Sequence, residues 1–264
     1  MGIMKIDKDK YISHIKDNER IIEMRRILDK VEIVINNHTV ESTDFLDPYG
    51  RLLAKSILNR FMDIGYREEG GLVETERQVI SIYPDYYLSS NIDVSIMALQ
   101  LKTDLEDLSH RDFLGAILKL GINRTKIGDI LIQEEYADII VKREIADFIL
   151  LNLERVGSKK VSITEKPLEQ LTPSKVDYNE INKTLSSYRL DVYVSATYNL
   201  SRQESMSIIK SGNVKVNWEP IDKVSKELEE GDIVSIRGYG RSILHSIEGM
   251  SKKGRIKAVI RILI

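Results

Sequence analysis

Cysteine is absent from this 264-residue chain, and proline is scarce, with 5 residues. Without cysteine the chain forms no disulfide, offers no cysteine ligand to zinc or an iron–sulfur cluster, and has no thiol nucleophile. No segment approaches the roughly 20 apolar residues that a membrane span requires, and the first residues lack the apolar core of a signal peptide. We therefore expect a cytoplasmic protein with no membrane segment.

The net charge of −2 is distributed unevenly along the chain. Residues 188–264 carry 13 Lys and Arg against 9 Asp and Glu, a net charge of +4, whereas residues 1–187 carry 26 against 32, a net charge of −6. A moderate positive excess is found both on solvated surfaces and on surfaces that bind nucleic acid. Charge alone leaves these two interpretations open.

The sequence predicts an α+β protein whose first unit spans residues 1–85. Apolar spacing over residues 8–34 predicts one long amphipathic helix. Asp47 and Pro48 are placed to cap and begin another helix, and residues 79–83 alternate as a strand that belongs to a hairpin-like segment. We expect this helical and hairpin unit to have a structural role.

The second unit, residues 86–168, has the predicted element order βαββαβ, which is the order of ferredoxin-like domains. This architecture serves many functions, so the order itself names none. The predicted central strands lack the aromatic side chains with which a typical RNA-recognition motif stacks bases. The loop GINRTKIGD instead places Arg124 and Lys126 between glycines that allow close approach to a phosphate, and an ordinary solvated loop is the alternative.

Proline and mixed charge mark residues 169–187 as a linker, and a third domain spans residues 188–264. In this domain RLDVYVSATYN and SRQESMSIIKSG predict two short helices. Ser201 and Glu204 match a capping box, and Gly212 is placed to end the second helix. VKVN and DIVSIRG alternate as strands, so the third domain is predicted to be a helix pair against a small sheet.

Basic and polar side chains of this domain are the candidate RNA contacts. Gln203 and Lys210 fall on one polar stripe of the second helix. We expect Arg189, Arg202 and Lys215 to converge with Lys210 on one side of the domain, where they present cations and forked guanidinium donors to phosphates.

A second candidate contact lies in the sequence RGYGRS. Tyr239 stands between two glycines and is flanked by Arg237 and Arg241, so the ring is placed to stack on an unpaired base while the arginines bind phosphates. A purely structural turn is the alternative. Trp218, which follows VKVN, is interpreted as a packing anchor, and a base-stacking platform is the alternative.

Several short motifs of the third domain resemble the S4 RNA-binding domain: RLD at Arg189, the SR that opens the second helix, G-x-V-x-V-N ending at Asn217, and GDIV. With TDFLDP, YPDYY, GINRTKIGDIL and SIRGYGRS, nearly the whole chain is similar to the YlmH family of bacterial S4-domain proteins. The resemblance implies a non-catalytic protein that binds ribosomal RNA and tRNA on the large ribosomal subunit, in ribosome quality control. We include Asn217 among the RNA contacts, and expect a monomer without cofactor or metal.

An RNA-modifying enzyme of the pseudouridine synthase or methyltransferase type, using the same module to bind RNA, is the alternative function. The chain offers little for catalysis. HRD at His110 lacks the asparagine of a kinase catalytic loop, and RGYGRS lacks the third glycine of a dinucleotide fingerprint. GMSKKGR resembles the mobile loop of class I aminoacyl-tRNA synthetases, but no HIGH sequence precedes it. We therefore predict that the protein is not an enzyme.

Overall fold

The computed structural model describes residues 5–264, and contacts within the chain divide it into two units, with the division between Ser174 and Lys175. Among these residues, no helix is both long enough and apolar enough to cross a membrane.

The first unit begins with three helices and a small antiparallel sheet of order β1-β3-β2. The elements are α1 Lys8–Ile12, α2 Asn18–Asn37, β1 Glu41–Ser42, α3 Pro48–Leu58, β2 Ile64–Glu69 and β3 Val79–Pro84. The prediction of one helix over residues 8–34 is wrong, because the first helix ends at Ile12 and a second helix begins at Asn18. Asp17 has an extended backbone and its Oδ1 accepts the N–H of Glu19 at 2.8 Å, so it caps α2 and cannot continue α1.

Asp47 begins α3 as predicted. Its Oδ1 accepts the N–H of Gly50 at 2.8 Å, and Pro48 occupies the first helical position. Its Oδ2 accepts a hydrogen bond from Nη2 of Arg20 in α2 at 2.5 Å, so one carboxylate caps a helix and joins two helices. The core of this part is formed by apolar side chains of α2, α3 and β3, which include Met24, Leu28, Val31, Ile57, Ile80 and Ile82.

The middle part of the first unit has the element order βαββαβ, with a short hairpin inserted before the last strand. The elements are β4 Ile96–Lys102, α4 His110–Lys119, β5 Ile127–Ile132, β6 Tyr136–Lys142, α5 Arg143–Asn152, β7 Arg155–Val156, β8 Lys159–Lys160 and β9 Ser162–Lys166. The four main strands form an antiparallel sheet of order β5-β6-β4-β9. Both helices pack on one face of it, around Leu99, Phe113, Ile117, Ile139 and Ile149.

The opposite face of this sheet packs against the N-terminal part of the same unit. Side chains alternate along β4 and β6, so Ile96, Ala98 and Ile140 point away from the helices. They are buried with Phe45 and Val79 of the N-terminal part. The sheet is therefore covered on this face at Ile96, Ala98 and Ile140.

Lys142, at the end of β6, is buried at this junction with 4% of its surface exposed. Its Nζ donates to the carbonyl oxygen of Thr43 at 3.0 Å, to the hydroxyl of Ser95 at 3.3 Å and to the hydroxyl of Ser42. Burial lowers the pKa of Lys142 to about 8, although the carboxylates of Glu144 and Asp44 act in the opposite direction.

The second unit, Lys175–Ile264, is a six-stranded antiparallel sheet with two helices on one face. The elements are β10 Tyr178–Leu185, α6 Leu190–Tyr198, α7 Arg202–Lys210, β11 Val214–Val216, β12 Glu219–Pro220, β13 Ile233–Ile236, β14 Gly240–Met250 and β15 Ile256–Leu263. The sheet order is β10-β15-β14-β13-β11-β12. The core between helices and sheet includes Tyr193, Val194, Ile209, Val214, Val234 and Ile260.

The predicted linker over residues 169–187 is wrong for its second half. Strand β10 pairs with β15 along its whole length, from Tyr178 opposite Leu263 to Leu185 opposite Ile256. Mixed polar residues fit an edge strand whose outer side meets water, which is why composition indicated a linker. The second unit therefore begins about a dozen residues before the expected boundary at residue 188.

We predict that Lys142 makes the stability of the first unit depend on alkaline pH. In the unfolded chain the lysine titrates near its ordinary pKa of 10.5, whereas in the folded protein it titrates at about 8. Between these values the unfolded state binds more protons, so the free energy of unfolding rises with pH, by up to about 3 kcal/mol from this residue. Urea unfolding followed by circular dichroism across this range should show a smaller rise for Lys142→Met than for the wild type. Lys102→Met, at an exposed position of β4, is the control. An equal pH dependence in Lys142→Met and wild type would contradict the prediction.

Candidate RNA-binding surface

The two helices of the second unit begin and end where the sequence predicts. Ser201 and Glu204 form the capping box: the hydroxyl of Ser201 accepts the N–H of Glu204 at 3.2 Å, and the Glu204 carboxylate accepts the N–H of Ser201 at 2.8 Å. Gly212, two residues past α7, has φ +74°, a conformation that suits glycine. These local features fix the first turn of α7, on which Arg202 lies.

Asp191 joins the two arginines that open the helices. Arg189 donates through Nε at 2.9 Å and Nη2 at 3.2 Å to the two carboxylate oxygens, and Arg202 donates through Nε at 3.3 Å. The Asp191 side chain has no exposed surface, whereas the side chains of Arg189 and Arg202 are 33% and 67% exposed. We call Arg189 and Arg202 the arginine pair.

The electrostatics of this cluster favour its charged form. Burial alone would raise the pKa of Asp191, but the hydrogen bonds and charges of Arg189 and Arg202 outweigh burial and lower it. The contact of Arg202 with Asp191 uses Nε, which leaves the donors of its two terminal nitrogens outside this hydrogen bond. One buried anion thus holds two partly exposed cations at fixed positions.

The polar stripe of α7 is observed. Gln203, Ser207 and Lys210 are exposed, whereas Ile209 is buried in the core. Lys210 lies eight residues beyond Arg202, or about 12 Å along the helix axis. It therefore extends the basic surface along α7, away from the arginine pair.

Lys215 does not converge with the arginine pair, contrary to expectation. Val214 and Val216 on either side of it are buried against the helices, so strand alternation points Lys215 to the opposite face of the sheet. There it lies in register with Ser235 of β13, which in turn pairs with Arg241 of β14. We call Lys215, Ser235 and Arg241 the sheet row.

Arg241 also contacts the aromatic ring of Trp218, with its guanidinium carbon 5.7 Å from the ring centroid. The tryptophan thus packs beside the sheet row.

Asn217 has internal partners. Its Nδ2 donates to Asp232 at 2.7 Å and its Oδ1 accepts the N–H of Ile233 at 2.9 Å. With φ values of +48° and +66°, Asn217 and Trp218 form the tight turn that joins β11 to β12, a conformation that asparagine tolerates. The asparagine of the V-x-V-N motif is thus explained by the turn.

Tyr239 lies at the tip of the β13–β14 turn and is 45% exposed. Its ring meets that of Tyr198 edge to face, with centroids 5.6 Å apart, so the end of α6 supports it. Arg237 in the same turn is exposed, whereas Arg241 belongs to the sheet row. Of the two cations expected to flank the tyrosine, Arg237 lies in the same turn, whereas Arg241 lies on β14.

Arg124 and Lys126, in the loop of the first unit, also have internal partners. Lys126 forms ion pairs with Asp44 at 2.7 Å and Glu144 at 2.6 Å. Arg124 donates to the carbonyl oxygen of Ile127, and burial, together with the charge of Arg77, lowers its pKa to about 10. Both side chains are partly buried and contact other groups of the first unit.

The whole loop docks on the TDFLDP segment. The N–H of Phe45 donates to the carbonyl oxygen of Thr125 at 2.8 Å, and the hydroxyl of Thr125 donates to Asp44 at 2.9 Å. A side chain at Gly128 would place its Cβ 2.6 Å from the ring of Phe45. We expected Gly128 to allow close approach of a phosphate, but the space beside it is occupied by the ring of Phe45.

Family models match three consecutive segments of the chain. Residues 19–87 match "YlmH, N-terminal", residues 89–170 match "Putative RNA-binding domain in YlmH", and residues 189–234 match "S4 domain". The last segment contains the arginine pair and, of the sheet row, Lys215.

Two similar proteins extend this finding. The chain is 33% identical over 244 residues to "Ribosome-associated protein quality control protein P2" of Bacillus subtilis (strain 168), which covers 92% of this chain and 94% of the relative. The structure of this chain is similar to that of "Cell division protein ylmH from Streptococcus pneumoniae", with a TM-score of 0.51 and 25% identity. The similarity covers 65% of this chain and all of that chain. The chain therefore belongs to the YlmH family, with an S4 domain near its C-terminus.

Proposed function

We propose that this protein binds ribosomal RNA and tRNA on the large ribosomal subunit and acts, without catalysis, in ribosome quality control. The observation that carries the proposal is the arginine pair, held by the buried Asp191 within the segment that matches the S4 domain. The similarity to the Bacillus subtilis relative, which is named as a ribosome-associated quality control protein, supports the ribosomal setting. A cytoplasmic monomer without cofactor is part of the proposal.

Phosphate groups are the ligands that suit the arginine pair. A guanidinium offers parallel N–H donors that match two phosphate oxygens, and the pair is positioned before any ligand arrives. Because Asp191 fixes both side chains, binding costs less side-chain entropy than it would for two unrestrained arginines. The proposed contact residues are Arg189, Arg202, Gln203, Lys210, Lys215, Arg237, Tyr239 and Arg241.

Asn217, Arg124 and Lys126 are further proposed contact residues, whose polar groups, like those of the arginine pair, also have partners within the protein. In the first unit, the sheet order β5-β6-β4-β9 with its antiparallel pairing supports a ferredoxin-like assignment for the middle part. Side chains of the N-terminal part pack on Ile96, Ala98 and Ile140 of the outer face of this sheet, so base stacking on these residues is not part of the proposal.

We predict that Arg202 contributes to RNA binding through bidentate contact with phosphate. Arg202→Lys should weaken binding because an ammonium does not reproduce the fork, and Arg202→Glu should nearly abolish it by repulsion. Arg189→Ala and Arg202→Ala should each reduce the salt dependence of binding by up to about one unit of log–log slope. The measurement is cosedimentation with large ribosomal subunits across a salt series.

Arg25→Ala is a matched control, because Arg25 is an exposed arginine of the first unit that also pairs with a carboxylate, Asp9. It removes the same charge and should leave the affinity and the salt slope unchanged. Circular dichroism establishes that each variant is folded. Wild-type affinity and slope in both folded alanine variants, Arg189→Ala and Arg202→Ala, would contradict the proposal.

We predict that the second unit carries most of the RNA affinity. A fragment of residues 175–264 should bind large subunits measurably, and a fragment of residues 1–174 much more weakly. The boundary matters, since a fragment that starts at residue 186 would remove β10 and leave β15 paired only with β14, as a new edge strand. The reverse ranking of the two folded fragments would place the main site in the first unit.

We also predict that the purified protein leaves transfer RNA and ribosomal RNA chemically unchanged, with or without S-adenosylmethionine. Nucleoside mass spectrometry after incubation is the measurement. Appearance of a modified nucleoside would favour the alternative, an RNA-modifying enzyme.

A further inference from the structure

The long hairpin formed by β14 and β15 lies beyond the segment that matches the S4 domain, which ends at residue 234. Its turn, residues 251–255, has the sequence SKKGR. We call these five residues the hairpin tip. Neither the family match nor the arginine pair accounts for three cations in so short a turn.

The cations of the hairpin tip face solvent. Lys252, Lys253 and Arg255 are exposed, and none of them forms an ion pair with a carboxylate among the residues that the structure describes. Met250, the last residue of β14, is 69% exposed, and Lys257 on β15 adds a fourth exposed cation. The tip is thus a concentrated positive patch in a chain whose net charge is −2.

Backbone hydrogen bonds give the tip a defined shape. The N–H of Ser251 donates to the carbonyl oxygen of Arg255 at 2.7 Å, and the N–H of Gly254 donates to that of Ser251 at 2.9 Å. The Ser251 hydroxyl also accepts the N–H of Arg255 at 3.1 Å. The cations are therefore presented on an ordered turn.

A chain of contacts connects the tip with the arginine pair. The backbones of Arg189 and Glu227 form an isolated antiparallel β-bridge. The N–H of Leu228 donates to the carbonyl oxygen of Tyr188 at 2.9 Å. Two residues further on, Glu230 accepts the N–H of Ile247 in β14. From Ile247 the hairpin continues outward to its tip.

The pairing of strand β10 with β15 also places the hairpin tip near the arginine pair. Leu185 pairs with Ile256, directly after the tip, and the chain then reaches Arg189 in four residues. Four residues span at most about 14 Å. The hairpin tip and the arginine pair therefore lie near the same end of β10.

The composition of the tip selects its ligand. Residues 248–257 contain no aromatic side chain, so an unpaired base finds no stacking partner there, whereas three cations suit a row of phosphates. Double-helical RNA pairs its bases and presents phosphates along two strands. We propose that the hairpin tip is a second phosphate-binding site, which extends the RNA contact from the arginine pair to an adjacent double-helical segment; this inference rests on the proposed function.

The test uses the full chain with Lys252, Lys253 and Arg255 all replaced by glutamine. Cosedimentation with large ribosomal subunits should show a salt slope smaller by up to about three units and an affinity at least about tenfold lower at low salt. A matched variant, Lys16→Gln with Lys119→Gln and Lys160→Gln, removes three exposed cations from the first unit and should bind like the wild type. Circular dichroism checks the folding of both.

A second measurement separates duplex from single strand. The tip variant should lose affinity for a synthetic RNA hairpin with a long stem, and retain affinity for an unstructured oligonucleotide of the same length. Equal losses for both RNAs would overturn the assignment to double-helical RNA.

The outcomes distinguish this inference from the proposed function. If the tip variant binds subunits like the wild type while Arg202→Ala binds weakly, the hairpin tip is not an RNA contact and the proposed function stands. If neither variant loses affinity, both fail. If the tip variant keeps its RNA affinity but loses binding to phosphatidylserine-containing vesicles that the wild type binds, the tip is a lipid contact and the inference is wrong.

Discussion

The buried carboxylate of Asp191 is the constraint on which the proposed RNA surface depends. A carboxylate without exposed surface is costly to keep charged unless cations neutralise it, and Arg189 and Arg202 do so from the starts of two different helices. The helices are in turn fixed by the Ser201–Glu204 capping box and by a core that includes Tyr193 and Ile209. The apolar core thus positions the backbone, and the carboxylate positions the cations.

The first unit uses its polar groups differently. Lys142, Lys126 and Arg124 look like surface cations in the sequence, yet each has a partner within the first unit. Lys142 donates to Thr43 and Lys126 pairs with Asp44, both in the TDFLDP segment, whereas Arg124 donates to the carbonyl oxygen of Ile127, three residues along the chain. A buried cation there needs carbonyl, hydroxyl or carboxylate oxygens, and the TDFLDP segment supplies several of them. The N-terminal part packs on this sheet face at Ile96, Ala98 and Ile140. Tyr136, at the start of β6, is an aromatic side chain of a central strand, and Nζ of Lys166 lies 4.4 Å from its ring centroid.

How far the sequence predicted the structure depends on the range of each interaction. The caps at Asp47 and Ser201 and the turn glycine at Gly212 were predicted correctly, because each involves groups within about four residues. The break between α1 and α2 was missed although Asp17 is a local cap, because apolar spacing continues across it. The motifs also identified the family, since they are distributed over nearly the whole chain, which family models match in three consecutive segments.

The sequence by itself determined the helix pair, the basic C-terminal domain and membership of the family. The tertiary structure alone decided which cations meet. Asp191 reaches Arg202 across eleven residues, Thr125 meets Asp44 across eighty-one, and β10 pairs with a strand that begins at Ile256. A contact of this kind depends on how distant segments pack, and the pattern around either residue carries no record of its partner. For the same reason Lys215, which lies between the buried Val214 and Val216, faces away from the arginine pair, although the sequence predicted that it would converge with them.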